Sequence, residues 1–205
     1  MDFAESSQLG TARSRGDPFI VYVEGPSDRE ILRGWAGRVS PALGRALDRA
    51  ARILGGRQPE RAAAHFRGLG GASRTARGLC VLDRDGEADS APPSVDESGL
   101  EFFTWSRRHI ESYLLVPDAI RRGLRLPGHD QRVARFFEAH LPRSPDESAF
   151  QKLDAKRLLG REGALARALG RPVTLGRVAR AMQVSEFHPD VQSLIERLRA
   201  GFGVL

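Results

Sequence analysis

The chain has 205 residues, of which 40% are hydrophobic and 28% are charged, and this balance suits one globular α/β domain with room for a small appendage. The formal net charge is +6, but 30 of the 32 basic residues are arginine, so a genome-wide preference for arginine explains the charge as well as a nucleic-acid partner does. The single cysteine excludes an intramolecular disulfide, and without paired Cys and His motifs a structural zinc site is not expected. Because the sequence shows neither a long apolar run nor a signal-peptide pattern, we expect a cytoplasmic protein with no membrane partner.

The first part of the chain predicts a strand, a tight turn and a helix. Residues 1–17 are polar and lack a hydrophobic period, so they are predicted to form a flexible N-terminal segment. The continuous apolar run Phe19–Val23 is typical of a strand that is buried on both faces of a parallel sheet. Ser27 and Glu30 then form a capping-box pattern at the start of a helix that extends to Val39.

Strands and helices alternate up to about residue 116, which predicts an α/β core over residues 18–116 with a parallel sheet flanked by helices. Residues 117–205 are predicted to be a helical C-terminal region packed on that core. The remaining strands are predicted at 51–54, 79–82 and 100–105, an exposed loop at 87–99, and helices at 42–51, 59–67, 107–115 (closed by Pro117), 130–140, 147–159, 161–169, 174–183 and 189–200.

Acidic side chains follow two of the predicted strands. Glu24 comes directly after the first strand, Asp83 and Asp85 come after the strand that ends at residue 82, and Asp28 lies in the first turn of the helix after Glu24. Each acid alone is explained by turn or helix-capping chemistry. Ligands bind at the carboxyl ends of parallel strands, so all four carboxylates are expected at one edge of the sheet. Such a cluster needs positive charge, and oxygen-only ligands favour Mg²⁺ or Mn²⁺.

These acids carry a resemblance to the TOPRIM superfamily. Its pattern is an apolar strand ending in Glu-Gly with an acid four residues after the Glu, followed by a second strand ending in Asp-x-Asp. Here the pattern is Val-Tyr-Val-Glu24-Gly-Pro-Ser-Asp28 and Cys-Val-Leu-Asp83-Arg-Asp85. The resemblance implies a TOPRIM-like parallel sheet and a site for divalent metal.

Later segments are similar to the OLD-family TOPRIM nucleases, a group that includes effectors of phage-defence systems. They are Ile110–Leu115, which contains Glu111, Asp154–Leu159, which contains Lys156, and the segments Val178–Met182 and 188–190. The whole resemblance therefore extends over roughly residues 18 to 200.

The resemblance implies a role for each matched residue. Glu24 would also shuttle protons, and Lys156 would steady the scissile phosphate or its transition-state charge. Lys152, one helical turn earlier, is the competing candidate for the lysine role. Two ions of Mg²⁺ or Mn²⁺ are expected, with Glu24, Asp28, Asp83, Asp85 and Glu111 as the metal ligands.

The leading interpretation is a metal-dependent nuclease that acts on DNA or RNA, as a monomer or an oligomer. A topoisomerase fits less well, because Tyr22 and Tyr113 are the only tyrosines and both are predicted in the core. The chain has no Gly-x-x-x-x-Gly-Lys segment, so an ATPase partner would be a separate chain. The alternative is a non-catalytic TOPRIM-fold module that binds nucleic acid or such an ATPase.

Three residues just before Glu111 in the sequence are weaker candidates for the site. Arg107 and Arg108 are candidates to touch phosphate, although their signal is weak in a chain this rich in arginine. His109 could line the site, but a surface position is the expectation.

Overall fold

A four-stranded, all-parallel sheet lies at the centre of the protein. The computed structural model describes residues 19–70, 76–84, 86, 95–142 and 147–204. The strands are β1 (Phe19–Val23), β2 (Ala51–Ile53), β3 (Arg77–Leu82) and β4 (Leu100–Thr104), in the order β2-β1-β3-β4. The predicted α/β class, a parallel sheet flanked by helices, is confirmed. The predicted N-terminal segment 1–17, residues 87–94 of the predicted loop and Asp85 lie outside the described residues.

Helices flank the sheet and make up most of the second half of the chain. They are α1 (Pro26–Val39), α2 (Pro41–Ala50), α3 (Pro59–Gly68), α4 (Pro117–Leu124), α5 (Arg132–His140), α6 (Glu147–Lys152), α7 (Ala155–Leu159), α8 (Ala164–Leu169), α9 (Leu175–Ala181) and α10 (Pro189–Phe202), with 3₁₀ turns at Ile110–Leu114 and Val184–Glu186. Across the described ranges, no helix has both the length and the apolar character needed to cross a bilayer.

The two faces of the sheet pack into two separate cores. Successive side chains of a strand point to opposite faces, so Val21 and Leu79 enter one core while Tyr22 and Cys80 enter the other. The first core contains α1, α2 and most of the C-terminal helices, and the second contains α3. Burial on both faces explains why β1 and β3 are continuous apolar runs rather than alternating ones.

The connections between strands place a crevice at the ends of β1 and β3. The chain leaves β1 toward β2 on one side, through α1 and α2, and then passes through α3 to β3 on the other side of β1. In open α/β sheets such a switch of direction marks the place where ligands bind, outside the carboxyl ends of the strands. Glu24 and Asp83 are the residues that follow these two strand ends.

The C-terminal helices share a core with the α/β part of the chain. Helix α9 crosses α1 so closely that a Cβ atom at Gly34 would lie 2.7 Å from the Cβ of Ala179. The indole Nε1 of Trp35 on α1 donates to the sulfur of Met182 at 3.1 Å. These contacts join residues 19–116 to the helical region, while the boundary at residue 116 stays a prediction.

Two predicted helix boundaries are wrong. Helix α1 is capped at Gly25 rather than Ser27, and Asp28 rather than Glu30 closes the cap, because the Asp28 carboxylate accepts from the Gly25 N–H at 2.6 Å. Pro117 opens α4 instead of closing a helix, as its fixed φ suits the first helical position.

Two longer predicted helices also differ. The helix predicted at 107–115 is a single 3₁₀ turn, Ile110–Leu114, preceded by a bent segment at 106–109. The helix predicted at 147–159 is broken into α6 and α7, because the Asp154 side chain accepts from the Arg157 N–H at 3.0 Å and starts a new helix.

Candidate functional site

Asp83 lies at the centre of the predicted acidic cluster and is only 2% exposed. Its backbone N–H donates to Oε1 of Glu24 at 2.8 Å, and its Oδ1 accepts from the backbone N–H of Ile110 at 2.9 Å. Its Oδ2 accepts from Nζ of Lys156 at 2.6 Å. Asp83 therefore joins the end of β1, the 3₁₀ turn and α7, which are far apart in the sequence.

Glu24 is held at the end of β1 by a glycine loop. Its carbonyl oxygen accepts from the N–H groups of Gly55 at 2.9 Å and Gly56 at 3.0 Å. Both glycines have positive φ, 86° and 127°, a conformation that favours residues without a Cβ. The loop after β2 thereby fixes the backbone of Glu24, whose buried carboxylate reaches the amide of Asp83.

Asp28 is also buried and combines two roles. Its Oδ2 caps α1 at Gly25, and the first turn of a helix is a favourable place for a negative charge. Asp28 lines the same cavity as Glu24, and Glu24 in turn contacts Asp83.

Glu111 lies on the 3₁₀ turn, is 4% exposed, and has an Oε2 that accepts no hydrogen bond from the described residues. Burial raises its pKa to about 7, and the negative charges of Asp83 and Asp28 add to the rise, while a hydrogen bond from its own backbone N–H and the charge of Lys156 oppose it. A buried carboxylate oxygen without a donor is costly, so Oε2 is suited to a cation.

The two lysines are placed differently. Lys156, in the first turn of α7, reaches Asp83, although 44% of its side chain remains exposed. Lys152, at the end of α6, is exposed.

His109 is buried, so the expectation of a surface position is wrong. Its Nδ1 lies 3.8 Å from Oδ1 of Asp154. Burial lowers the pKa of His109, and the positive charges of Lys156 and Arg108 lower it further, against the opposite effects of Asp83 and Asp154. The histidine is buried because the 3₁₀ turn and α7 fold over it, which its sequence context did not reveal.

Arg57 is a second residue that the sequence did not single out. It follows the Gly55-Gly56 loop at the end of β2, and its Nη1 donates to the carbonyl oxygen of Asp83. Because β2 is parallel to β1 and β3, its position after a strand end was the signal that could have identified it.

A cavity of about 700 Å³ opens beside these groups. Its walls come from the ends of β1 and β2, the start of α1, the 3₁₀ turn, α7 and the segment before α9. They include Glu24, Asp28, Glu111 and Lys156, together with Gly55, Gly56, Gly160, Arg161 and residues 172–175. The cavity is therefore lined by acidic groups together with two cationic side chains.

The donor set matches a hard divalent cation in chemistry, because all four acids supply oxygen. Across the ranges that the structure describes, no three His, Cys, Asp or Glu side chains are already arranged to hold a metal ion. Asp85, the fifth predicted ligand, is outside those ranges. The orphaned Oε2 of Glu111 is the observation that favours a fit.

No protein-family model matches the sequence, and no curated protein matches it. Among solved structures, the fold is similar to two structures of the C-terminal region of the OLD protein from Xanthomonas campestris pv. campestris. The sequence identities are 16% and 15%, and both have a TM-score of 0.48, covering 92% of this chain and 97% of that one.

Proposed function

We propose that the chain is a divalent-metal-dependent nuclease that hydrolyses phosphodiester bonds in DNA or RNA. The observation that carries the proposal is the convergence of four buried carboxylates at the switch point of the sheet, beside a cavity with one lysine. Concentrating buried negative charge in this way is unfavourable for folding alone. It is explained if the site exists to bind cations.

Glu24, Asp28, Asp83 and Glu111 would hold Mg²⁺ or Mn²⁺, with Asp85 added from the sequence motif, and we propose two ions. When bound, the metal would supply a more acidic water and stabilise charge on the leaving oxygen of the phosphodiester. The TOPRIM-like spacing of Glu24, Asp28, Asp83 and Asp85 in the sequence supports the same assignment.

The side chains of this protein would orient the substrate and handle its charge. Lys156 lines the cavity with a side chain that is 44% exposed, so it is placed to hold a phosphate oxygen while Asp83 holds Lys156 in turn. Glu24 lines the same cavity and is the proposed carrier of protons.

The resemblance to OLD-family nucleases supports a role as a defence-system effector with an ATPase partner. Copurification with an ATPase from the native host would support this part of the proposal. A protein that is isolated alone and is fully active would count against it.

Cleavage of a supercoiled plasmid and of a single-stranded RNA tests the reaction, in Mg²⁺, in Mn²⁺ and in EDTA. We expect metal-dependent cleavage that is lost in Glu24→Ala and Asp83→Ala. Asp118→Ala is the control, because its side chain is 68% exposed and its carboxylate pairs with Arg121 one helical turn away. Cleavage that survives both site substitutions would refute the proposed site. Absence of both cleavage and Mn²⁺ binding by calorimetry would favour a non-catalytic binding module.

A further inference from the structure

A second polar cluster lies behind the turn that carries Glu111, and Asp190 is its centre. Asp190 is in the first turn of α10, 79 residues after Glu111. One oxygen, Oδ2, accepts from the Ser106 hydroxyl at 2.5 Å, from the Tyr113 hydroxyl at 2.5 Å and from the Ser106 N–H at 3.2 Å. A single carboxylate oxygen therefore holds both ends of the segment 106–113.

The same segment is also closed on itself. The Arg107 N–H donates to the Tyr113 hydroxyl at 3.0 Å, and the Arg107 guanidinium donates to the carbonyl oxygen of Ser112 at 3.0 Å. Arg107 also makes two 2.7 Å hydrogen bonds to Glu147 on α6. These bonds leave the turn few alternative positions.

The middle of the segment 106–113 reaches the candidate site. The Ile110 N–H donates to Oδ1 of Asp83, and Glu111 lines the cavity. In a 3₁₀ turn with three residues per turn, positions 111 and 113 point in different directions. Tyr113 can therefore be anchored from behind while Glu111 faces the cavity, whose described lining does not include Asp190.

We propose that Asp190 is a positioning residue, which fixes the 3₁₀ turn so that the Ile110 N–H and Glu111 stay against Asp83. Its effect on metal binding rests on the proposed function, whereas its effect on the turn does not. Hydrogen bonds to a charged carboxylate are shorter and stronger than neutral ones. Burial alone would raise the pKa of Asp190, but the hydrogen bonds from Ser106 and Tyr113 hold that pKa below its ordinary value, so the carboxylate is charged at neutral pH.

Amide hydrogen exchange in EDTA tests the positioning role without metal. In Asp190→Ala we expect the Ile110 amide to exchange at least roughly tenfold faster, with the amides of β1 and β3 unchanged. Asp118→Ala is a matched control, because Asp118 also follows a proline in the first turn of a helix. Unchanged exchange at Ile110 would overturn the proposal. If Asp190→Ala fails to fold, Tyr113→Phe removes one of the three hydrogen bonds, and the same change at Ile110 is expected in smaller degree.

Mn²⁺ titration of the same variants tests the consequence for the site. Groups that orient metal ligands typically change affinity by about 10–100-fold, and we expect a loss in that range for Asp190→Ala. If the wild-type protein binds no Mn²⁺, the proposed function fails while the exchange result still decides the positioning of the turn. If the turn loosens but Mn²⁺ affinity is unchanged, Asp190 does not position the site and this inference is wrong.

Discussion

Two carboxylates near the same 3₁₀ turn have opposite surroundings. Asp190 is partly buried, accepts three hydrogen bonds and has a lowered pKa, with the hydrogen bonds from Ser106 and Tyr113 outweighing the effect of burial. Glu111 is more deeply buried, lacks a donor to Oε2 among the described residues and has a pKa raised to about 7, chiefly by burial.

The difference separates Asp190, whose donors the protein supplies, from Glu111, the candidate site acid with an oxygen that lacks a donor among the described residues. A carboxylate that accepts hydrogen bonds from the protein stabilises the fold, and a cation would bind it only weakly. A carboxylate buried among other acids destabilises the fold until positive charge arrives. The predictions below test this contrast.

The largest effect is expected at Lys156, the cation already beside Asp83. Replacing Lys156 by Ala removes the positive charge proposed to hold the phosphate, and we expect metal-dependent cleavage to fall by roughly 10²–10³-fold. Lys152→Ala is the matched control because Lys152 is exposed at the end of α6, and it should change the rate by less than about threefold. Initial cleavage rates at saturating metal provide the measurement, and equal losses in the two variants would contradict the assignment.

The sequence predicted the meeting of the ends of β1 and β3 better than the packing around them, and the reason lies in the topology of the sheet. Glu24 and Asp83 are 59 residues apart, yet both follow buried apolar strands, and parallel strands bring their carboxyl ends together. The contact of Asp190 with Ser106 spans 84 residues and depends on how α10 packs, for which no periodic signal exists. Local spacing alone therefore could not predict it.

The error at residues 107–115 has a similar cause. Apolar residues at 110, 113 and 114 fit one face of an α-helix, and they fit a single 3₁₀ turn equally well. Tertiary hydrogen bonds from the Ile110 N–H to Asp83 and from the Tyr113 hydroxyl to Asp190 decide between the two. His109, just before this turn, is buried as well. Burial of a polar residue depends on the elements folded over it, which the sequence of one segment does not contain.

The second prediction concerns the pH dependence of stability. The folded-state pKa of Glu111, about 7, is above its ordinary value of 4.5, so its contribution to stability is complete below pH 4.5 and is lost as the pH rises through 7. Glu111→Gln cannot ionise. The wild-type protein should therefore lose stability between pH 4.5 and pH 8 that the variant keeps. Measured in EDTA, the free energy of unfolding of Glu111→Gln minus that of wild type should increase over this range by on the order of 3 kcal/mol.

Urea unfolding at the two pH values measures this difference. Mn²⁺ at pH 8 should then stabilise the wild-type protein more than Glu111→Gln, because binding to the folded state adds to stability. A difference between the two proteins that does not change with pH would show that Glu111 is not held in an environment that opposes its charge.

The third prediction concerns Ser106, which donates two hydrogen bonds to Asp190. Ser106→Ala leaves Asp190 with the Tyr113 hydroxyl and the Ser106 backbone N–H, so we expect a loss of about 1–2 kcal/mol in the free energy of unfolding. Ser106→Ala should be less stable than wild type at both pH 5.5 and pH 8, whereas the stability of Glu111→Gln relative to wild type should rise with pH. A gain in stability at pH 8 would mean that Asp190 belongs with the site acids.

The smallest effect is expected at the ion pair between Arg107 and Glu147. The pair is bidentate, but the Glu147 side chain is 42% exposed and solvent weakens the attraction. Glu147→Gln should therefore lower the free energy of unfolding by less than about 1 kcal/mol, since Arg107 still contacts the carbonyl oxygen of Ser112 and the rings of Tyr113 and Phe150. A double-mutant cycle with Arg107→Ala measures the pairwise part. A coupling energy well above 1 kcal/mol would show that α6, as well as Asp190, fixes the turn that carries Glu111.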